Sequence, residues 1–482
     1  MRALRYAVRP LPVLKYFGQL CFVLGLLTLV PLTVALIAGD SRVSVRYAMV
    51  ASGILVMSAA LMRLPSVKRL QSNEAMVIAA LVFLFIPLVM TWPMMAAGLS
   101  FSDALFETIS AVTTTGLSLV ADVSDKPATY LFARSWMQWV GGLGIVVLSL
   151  AIMIQPGTVA KRLGEHEDFE DDTVVGTRLY ARLVFVIYFV LTGVGIILLG
   201  LLGVGWFRGL TYAFTAVSTG GFSPHDNSLV GLDGYPAKAA VILLSMAGGV
   251  SLMFYRRLFK DRWRAVTDDV QLRSFLVLSI LFAAMLAWSL RMQGFAWPGA
   301  VGHGVLNAFS AQSTAGFSTI DLSQIDSGSK LILIGSMFIG GSVGSTSGGI
   351  KILRLLILMR MLSLLIERPG MPHNAVVEKR LGRRRLEPDE IQNALSLIVI
   401  FVMVIMFSWV PFVFMGYRPL DSLFEVVSAI GTVGLSTGIT APDLPPFLKG
   451  VLCMDMLLGR LEVLAWLIFL YPGTWFGRRM EG

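Results

Sequence analysis

The sequence predicts an all-α integral membrane protein built from repeated units around a central axis. Three observations lead to this prediction. Hydrophobic residues make up 56% of the 482 residues and charged ones only 14%, with a mean hydropathy of +0.75, which is too apolar for an ordinary soluble protein. The chain contains about ten apolar runs of the length that a bilayer crossing needs. One Thr/Gly-rich octapeptide also occurs four times.

The apolar runs predict the membrane spans. They lie near residues 17–38, 46–62, 75–97, 130–154, 180–204, 236–259, 272–293, 331–365, 391–416 and 448–471. The first run is long enough to span, so we expect it to remain as an anchor rather than be cleaved as a signal peptide. Lys and Arg cluster in every second connection. Because basic connections stay on the cytoplasmic side, we expect both termini to be cytoplasmic.

The four octapeptides share the pattern Ala-x-(Ser/Thr/Gly)-Thr-x-Gly-(Leu/Phe)-Ser. They occupy Ala111–Ser118, Ala216–Ser223, Ala311–Ser318 and Ala429–Ser436. A helical pattern of about two to three turns precedes each one, which is too short to cross a bilayer. On the topology above, all four fall in connections on the outer side. A short helix that ends at such a loop between two spans predicts a re-entrant hairpin.

The chain therefore divides into an N-terminal pair of spans and four repeats, each made of span, half-helix, loop and span. The predicted boundaries are 1–74 for the N-terminal pair, then 75–165, 175–265, 270–367 and 388–482 for the repeats, with loops at 111–118, 216–223, 311–318 and 429–436. An even number of spans separates the repeats, so they run in the same orientation, unlike the inverted repeats of many secondary transporters.

Four such hairpins around one axis would bring four Thr/Gly backbones together. Main-chain carbonyls can replace the hydration shell of a potassium ion, and glycine permits the backbone conformations that aim them inward. The half-helices would direct their partly negative C-terminal ends at the centre, which favours a cation, whereas an anion site would need helix N-termini. The predicted fold is four pseudo-symmetric repeats around a central ion pore.

The second span of the third repeat is interrupted. Gly340–Gly349 contains a single residue, Val343, that is not Gly, Ser or Thr. Each glycine costs a helix about 1 kcal/mol relative to alanine, and broken backbone at membrane depth needs a wet cavity or a protein cover. We therefore expect a flexible loop inside the membrane. Ile350 separates Gly349 from Lys351, which does not fit the Gly-Lys-(Ser/Thr) of a nucleotide-binding P-loop.

The last apolar run contains Asp455, Arg460 and Glu462. A charge at this depth costs about 2.5–3.5 kcal/mol on insertion scales, so it normally faces a bundle interior or a water-filled path. Arg460 either faces the path or forms a structural pair with Asp455 or a neighbouring helix. We favour the path, where a positive charge would raise the barrier to a cation.

Other features argue against other protein classes. Cys21 and Cys453 lie in apolar runs and the four histidines have no ligand spacing, so neither disulfides nor a metal centre is predicted. We find no catalytic set and expect no enzyme activity. The basic clusters explain the net charge of +9 without nucleic acid. The acidic run Glu165–Asp172 is either simply solvated or, with the basic cluster Lys379–Arg385, a docking surface for a soluble partner.

The octapeptides, the break at Gly340–Gly349 and Arg460 together resemble the Trk/Ktr/HKT superfamily of potassium transporters, most closely its bacterial TrkH/TrkG branch. The resemblance covers nearly the whole chain. It implies potassium uptake across the bacterial inner membrane, with K+ as the transported ion and no organic cofactor. It also implies a homodimer in membrane lipid and a cytoplasmic, nucleotide-binding regulatory subunit similar to TrkA. A less selective K+/Na+ transporter and a proton- or sodium-coupled potassium symporter remain as alternatives.

The resemblance also implies the site residues, with the filter glycines matching Gly116, Gly221, Gly316 and Gly434. The expected K+ filter comprises Thr114, Thr115, Gly116, Thr219, Gly220, Gly221, Thr314, Ala315, Gly316, Thr432, Val433 and Gly434. The expected gating residues are Gly340, Gly341, Ser342, Gly344, Ser345, Thr346, Gly348, Gly349, Lys351 and Arg460. Because the loops differ at the residue before each filter glycine, we expect a pore less symmetric than that of a tetrameric channel.

Overall fold

The computed structural model describes residues 7–65, 67, 70–153, 173–370, 372, 379–382 and 384–477, and helices dominate them. The N-terminal pair is α1 (Pro10–Ile37) and α2 (Ser41–Met62). The first repeat comprises α3 (Ser72–Met94), a 3-10 turn (Met95–Ala97), half-helix α4 (Phe101–Val112) and α5 (Ala128–Met153). The second comprises α6 (Thr173–Leu201), half-helix α7 (Trp206–Val217), a 3-10 turn (Ser228–Gly231), α8 (Tyr235–Gly249), α9 (Leu252–Asp261) and α10 (Trp263–Asp268).

The third repeat comprises α11 (Val270–Met292), half-helix α12 (Trp297–Gln312), α13 (Ser327–Phe338), α14 (Ile352–Glu367) and a 3-10 turn (Arg368–Gly370). A two-stranded antiparallel hairpin follows, with β1 (Arg380–Leu381) paired to β2 (Arg384–Arg385). The fourth repeat comprises α15 (Pro388–Phe414), half-helix α16 (Pro419–Ile430), α17 (Pro446–Arg460), α18 (Leu464–Leu470) and α19 (Pro472–Trp475).

In the described part of the chain, fewer unbroken helices are suited to crossing a membrane than the sequence analysis expects. Among the described residues, 6 helices are long and apolar enough to cross, or up to 7 if α8 and α9, which meet at 90°, count as one. The second spans of the last three repeats are all broken, although only the break in the third was predicted. In the second repeat α8 ends at Gly249, where Val250 has ψ 147°. In the fourth, Glu462 and Val463 both have left-handed φ angles, 56° and 57°.

The repeats form a closed ring. Each half-helix packs between the two spans of its own repeat and also contacts the second span of the repeat before it: α5 contacts α7, α8 contacts α12, α13 contacts α16, and α17 returns to α4. Two of these four joints carry salt bridges. Lys330 Nζ lies 2.7 Å from Asp421, and Lys449 Nζ lies 2.6 Å from Asp103. The fourth repeat thus closes onto the first.

The N-terminal helix pair packs outside this ring. Helix α1 contacts α2, α3 and α5, and an ion pair holds its start against the start of α3. Arg9 Nε donates to Glu74 Oε1 at 2.8 Å, and Arg9 Nη2 donates to Oε2 at 3.0 Å. Glu74 is fully buried, and the main-chain N–H groups of Arg9 and Gln71 also donate to its carboxylate. This carboxylate thus links the pair to the ring.

Removing the cation of this pair should destabilise the fold. In Arg9→Met, the buried Glu74 carboxylate loses its charged partner. Removing one partner of a buried ion pair lowers the free energy of unfolding by about 3–5 kcal/mol. We expect a clearly lower melting temperature in detergent, whereas Arg63→Met, at an exposed position at the end of α2, should change it little. Arg9→Met with Glu74→Gln should melt above Arg9→Met alone. Equal melting temperatures for Arg9→Met and Arg63→Met would refute the role of the pair.

Candidate functional site

The four Thr/Gly loops meet in one ring, and their contacts depend on the absence of a glycine side chain. A Cβ atom built on the filter glycine of any loop would lie between 1.9 and 2.2 Å from a main-chain carbonyl oxygen of the next loop. Gly116 faces the carbonyl of Gly220, Gly221 that of Ala315, Gly316 that of Val433, and Gly434 that of Thr115. Any side chain would collide there, so the ring closes only with glycine at all four positions.

The half-helices end in the same way. In the first repeat, the N–H of Thr114 donates to the Ala111 carbonyl at 3.0 Å and the N–H of Thr115 to the Ser110 carbonyl at 2.9 Å. This is the Schellman pattern of helix termination, in which the residue after the cap is left-handed and is usually glycine. Here it is a threonine in every repeat: Thr114, Thr219, Thr314 and Thr432 have φ between 47° and 56°. Four strained threonines thus lie directly below the ring.

A polar side chain of each half-helix braces the loop that follows. Glu107, Tyr212, Asn307 and Glu425 stand at the same spacing before the four filter glycines. The carboxylate of Glu107 accepts from Ser118 Oγ at 2.7 Å, Tyr212 Oη lies 3.0 Å from Ser223 Oγ, Asn307 Oδ1 accepts from the Thr319 N–H at 3.0 Å, and Glu425 accepts from Ser436 Oγ at 2.7 Å. The sequence analysis missed these braces because their residue types differ.

Glu107 and Glu425, the two glutamates that brace loops, have different hydrogen-bonding and charged partners. Glu107 is paired with Arg134 of α5, whose Nε lies 3.1 Å from its carboxylate. Glu425 instead takes hydrogen bonds from hydroxyls and one main-chain N–H, including Thr440 Oγ1 at 2.6 Å and the Thr437 N–H at 2.7 Å. Both carboxylates are fully buried. Equivalent positions in the ring therefore have unequal electrostatic surroundings.

The second spans carry a glycine beneath their half-helices. A Cβ on Gly141, Gly248 or Gly459 would lie 1.9 to 2.4 Å from a carbonyl at the end of the half-helix in the same repeat. In the first three repeats a second glycine follows, at Gly142, Gly249 and Gly341, whereas the fourth has Arg460 in that place. The repeated Gly-Gly pair is a signal in the sequence that could have indicated the position of Arg460.

The interrupted segment Gly340–Gly349 lies directly below the loops and is buried. Thr346 Oγ1 donates to the last carbonyl of half-helix α7, that of Val217, at 3.0 Å, and the Gly348 N–H donates to Thr314 Oγ1 at 2.8 Å. A Cβ on Gly348 would lie 2.0 Å from Thr432 Oγ1. The segment therefore contacts the second and fourth repeats as well as the loop of its own repeat.

Arg460 joins this segment to the first repeat. It is 3% exposed, and its guanidinium donates to the Thr346 carbonyl at 2.8 Å and to the Gly141 carbonyl at 3.1 Å. Asp455, the alternative structural partner, instead accepts from Ser408 Oγ at 2.6 Å. The Arg460 side chain thus spans the space beneath the ring.

The other charged side chains near the segment have local hydrogen-bond or ion-pair partners. Lys351 Nζ donates back to the carbonyl of Ser347, and Glu462 pairs with Arg354. The structure therefore places the predicted filter loops and the predicted gating residues next to one another, and most of these residues are buried. The acidic run Glu165–Asp172 lies outside the described residues.

Comparison with known proteins finds similar sequences over nearly the whole chain. A sequence model of the family described as "TrkH: Cation transport protein" matches residues 48–472. The Trk system potassium uptake protein TrkH of Halomonas elongata is 30% identical over 96% of this chain and 98% of its own length. An uncharacterised cation transporter of Methanocaldococcus jannaschii is 28% identical over 95% of this chain and 94% of its own.

A solved structure shares the fold. The crystal structure of the potassium transporter TrkH from Vibrio parahaemolyticus superposes with a TM-score of 0.84, covering 97% of this chain and 100% of that one at 24% identity. The match extends over both the N-terminal pair and the ring. The family match over residues 48–472 shows that this chain belongs to the TrkH family of cation transport proteins.

Proposed function

We propose that the protein carries potassium ions across a bacterial inner membrane through the ring of four loops. The closed ring of glycines and carbonyls is the observation that carries the proposal, because closely apposed main chains can offer an ion oxygen atoms in place of water. The half-helices direct their partly negative ends at the same place, which suits a cation. The family membership and the potassium uptake named for the relatives support the same ion.

The segment below the ring is proposed to be the gate. Gly340–Gly349 would block the path by occlusion, and Arg460 would add an electrostatic barrier to a cation. The two hydrogen bonds of the guanidinium, to the Thr346 and Gly141 carbonyls, support joint action because they fix the segment to the first repeat. Breaking these two hydrogen bonds would free the Gly340–Gly349 segment and the Arg460 side chain to move at the same time.

The wider assembly is also part of the proposal. We expect a homodimer in membrane lipid and a nucleotide-binding, TrkA-like subunit on the cytoplasmic side. The hairpin β1–β2 supports a docking role because Lys379 and Arg385 are exposed on it. A second candidate function is a less selective K+/Na+ transporter. The four different residues before the filter glycines, Thr115, Gly220, Ala315 and Val433, favour this candidate, since they make the ring unequal.

Adding a side chain to the ring should reduce selectivity. In Gly316→Ser, the new Cβ would lie 1.9 Å from the Val433 carbonyl oxygen, at a φ of 71° that serine rarely adopts. We expect the K+/Na+ flux ratio of purified protein in liposomes to fall about tenfold or more. Gly299→Ser, in the same repeat with nothing within 4 Å of its Cβ position, is the matched control. An unchanged ratio in Gly316→Ser would remove this loop from the proposed filter.

Loss of Arg460 should open the gate. Arg460→Ala removes both the charge and the two hydrogen bonds, so we expect a several-fold rise in potassium flux per correctly folded dimer and weaker control by the regulatory subunit. Arg460→Lys keeps the positive charge but lacks the planar guanidinium that donates to both carbonyls. This variant therefore separates the electrostatic barrier from the mechanical one. Shortening Ser342–Ser347 should have a similar effect on flux. A lower yield of folded protein with no gain in flux would assign Arg460 a purely structural role.

Reversing charge on the hairpin should weaken the docking of the cytoplasmic subunit. Lys379→Glu with Arg385→Glu changes the sign of two exposed residues, and we expect less co-purified regulatory subunit at physiological ionic strength. Arg384 should be left in place because it bonds Glu390 at 3.0 Å. Co-purification that is insensitive to the reversal would exclude this hairpin from the docking surface.

A further inference from the structure

The second loop of the ring differs from the others in having two adjacent glycines, Gly220 and Gly221. A glycine pair has more backbone freedom than any other dipeptide. The first of the two is held by a side chain from the preceding repeat. Gln138, on α5, is fully buried and forms hydrogen bonds to this loop.

Both ends of the Gln138 amide bind the loop. Its Nε2 donates to the Gly220 carbonyl at 2.5 Å, and its Oε1 accepts from the Phe222 N–H at 3.1 Å. The two bonds lie on either side of Gly221, whose φ is 80°. A rotation of the main chain at Gly221 would break both bonds at once. The amide therefore fixes the orientation of the Gly220 carbonyl, which is the oxygen that packs against Gly116 of the first loop.

Gln138 also packs so closely against Gly220 that no larger residue fits at position 220. A Cβ on Gly220 would lie 2.5 Å from the Cδ and Oε1 atoms of Gln138. The third loop is otherwise identical over six residues, Ser-Thr-Ala-Gly-Phe-Ser, with Ala315 in place of Gly220. The counterpart of Gln138 for that loop, counted from the Gly-Gly pair of α8, is Ser245, whose hydroxyl bonds the Val241 carbonyl of its own helix at 3.0 Å.

A second side chain of α5 supports the same loop. The guanidinium of Arg134 stacks 3.8 Å from the centre of the Phe222 ring while pairing with Glu107 of the first repeat. The second loop is thus positioned by the first repeat through both Gln138 and Arg134, on consecutive turns of one helix.

We propose that Gln138 is a positioning residue that determines ion specificity by holding the Gly220 carbonyl in the ring. The proposal rests on the proposed function as a potassium transporter. An ion is discriminated by the number and placement of its oxygen ligands, and the glycine pair would leave one quarter of the ring free to adjust to a smaller ion. The two hydrogen bonds from Gln138 remove that freedom.

The test compares K+/Na+ flux ratios of purified, correctly folded protein in liposomes. Gln138→Met removes both hydrogen bonds at similar volume, and Met337 and Met456 occupy the counterpart positions in the third and fourth repeats. We expect its ratio to fall about tenfold. Ser245→Ala, which removes a hydroxyl bonded within its own helix, is the matched control and should keep the wild-type ratio.

A compensating variant makes the test independent of the folding of any single mutant. Gln138→Ser with Gly220→Ala reproduces the Ser245 and Ala315 combination of the third loop, and we expect its ratio to be at least threefold above that of Gln138→Ser alone. Gly220→Ala alone should lower the ratio because its Cβ meets Gln138. A wild-type ratio in Gln138→Met, or a double variant no better than Gln138→Ser, would overturn the proposal. Wild-type protein that carries no potassium would instead refute the proposed function.

Discussion

The contact between neighbouring main chains in the ring is the constraint on which the rest of the structure depends. Each filter glycine lies where the next loop's carbonyl leaves no room for a Cβ atom. Such an approach requires the half-helices to end abruptly, which the left-handed threonines achieve at a cost in backbone strain. It also requires the second spans to come close beneath, which Gly141, Gly248 and Gly459 permit. Glycines and strained threonines thus occur together for one geometric reason.

Local signals in the sequence predict a large part of this arrangement. The Thr-x-Gly pattern, the short half-helices and the break at Gly340–Gly349 all follow from spacing and composition within a few residues. The breaks after Gly249 and around Glu462–Val463 do not, because both fall inside apolar runs that are long enough to span, and hydropathy does not distinguish a bent span from a straight one. The orientation of each break is set by packing against other repeats.

The polar partners of the loops were harder to predict for a different reason. Glu107 and Glu425 match in type, but Tyr212 and Asn307 at the same spacing do not. A hydroxyl or an amide can supply the same hydrogen bond as a carboxylate, so the shared role does not produce a shared residue. The sequence analysis did not identify Gln138 because the loop that it binds is far away in the sequence. The Gly340–Gly349 segment is better held than its composition suggests, because its own hydroxyls, such as Thr346 Oγ1, satisfy nearby carbonyls.

The closure of the ring has a consequence for the order in which the protein can be made. The contacts that join the last repeat to the first, Gly434 with Thr115 and Lys449 with Asp103, connect segments more than 300 residues apart. The main chain of Val8 also binds that of Thr474, at 2.8 Å. During synthesis the first three loops are made before the fourth, and until then the Thr115 carbonyl and the Asp103 carboxylate lack their final neighbours. The ring can close only after the fourth repeat has been made, so a chain that ends before this repeat cannot form it.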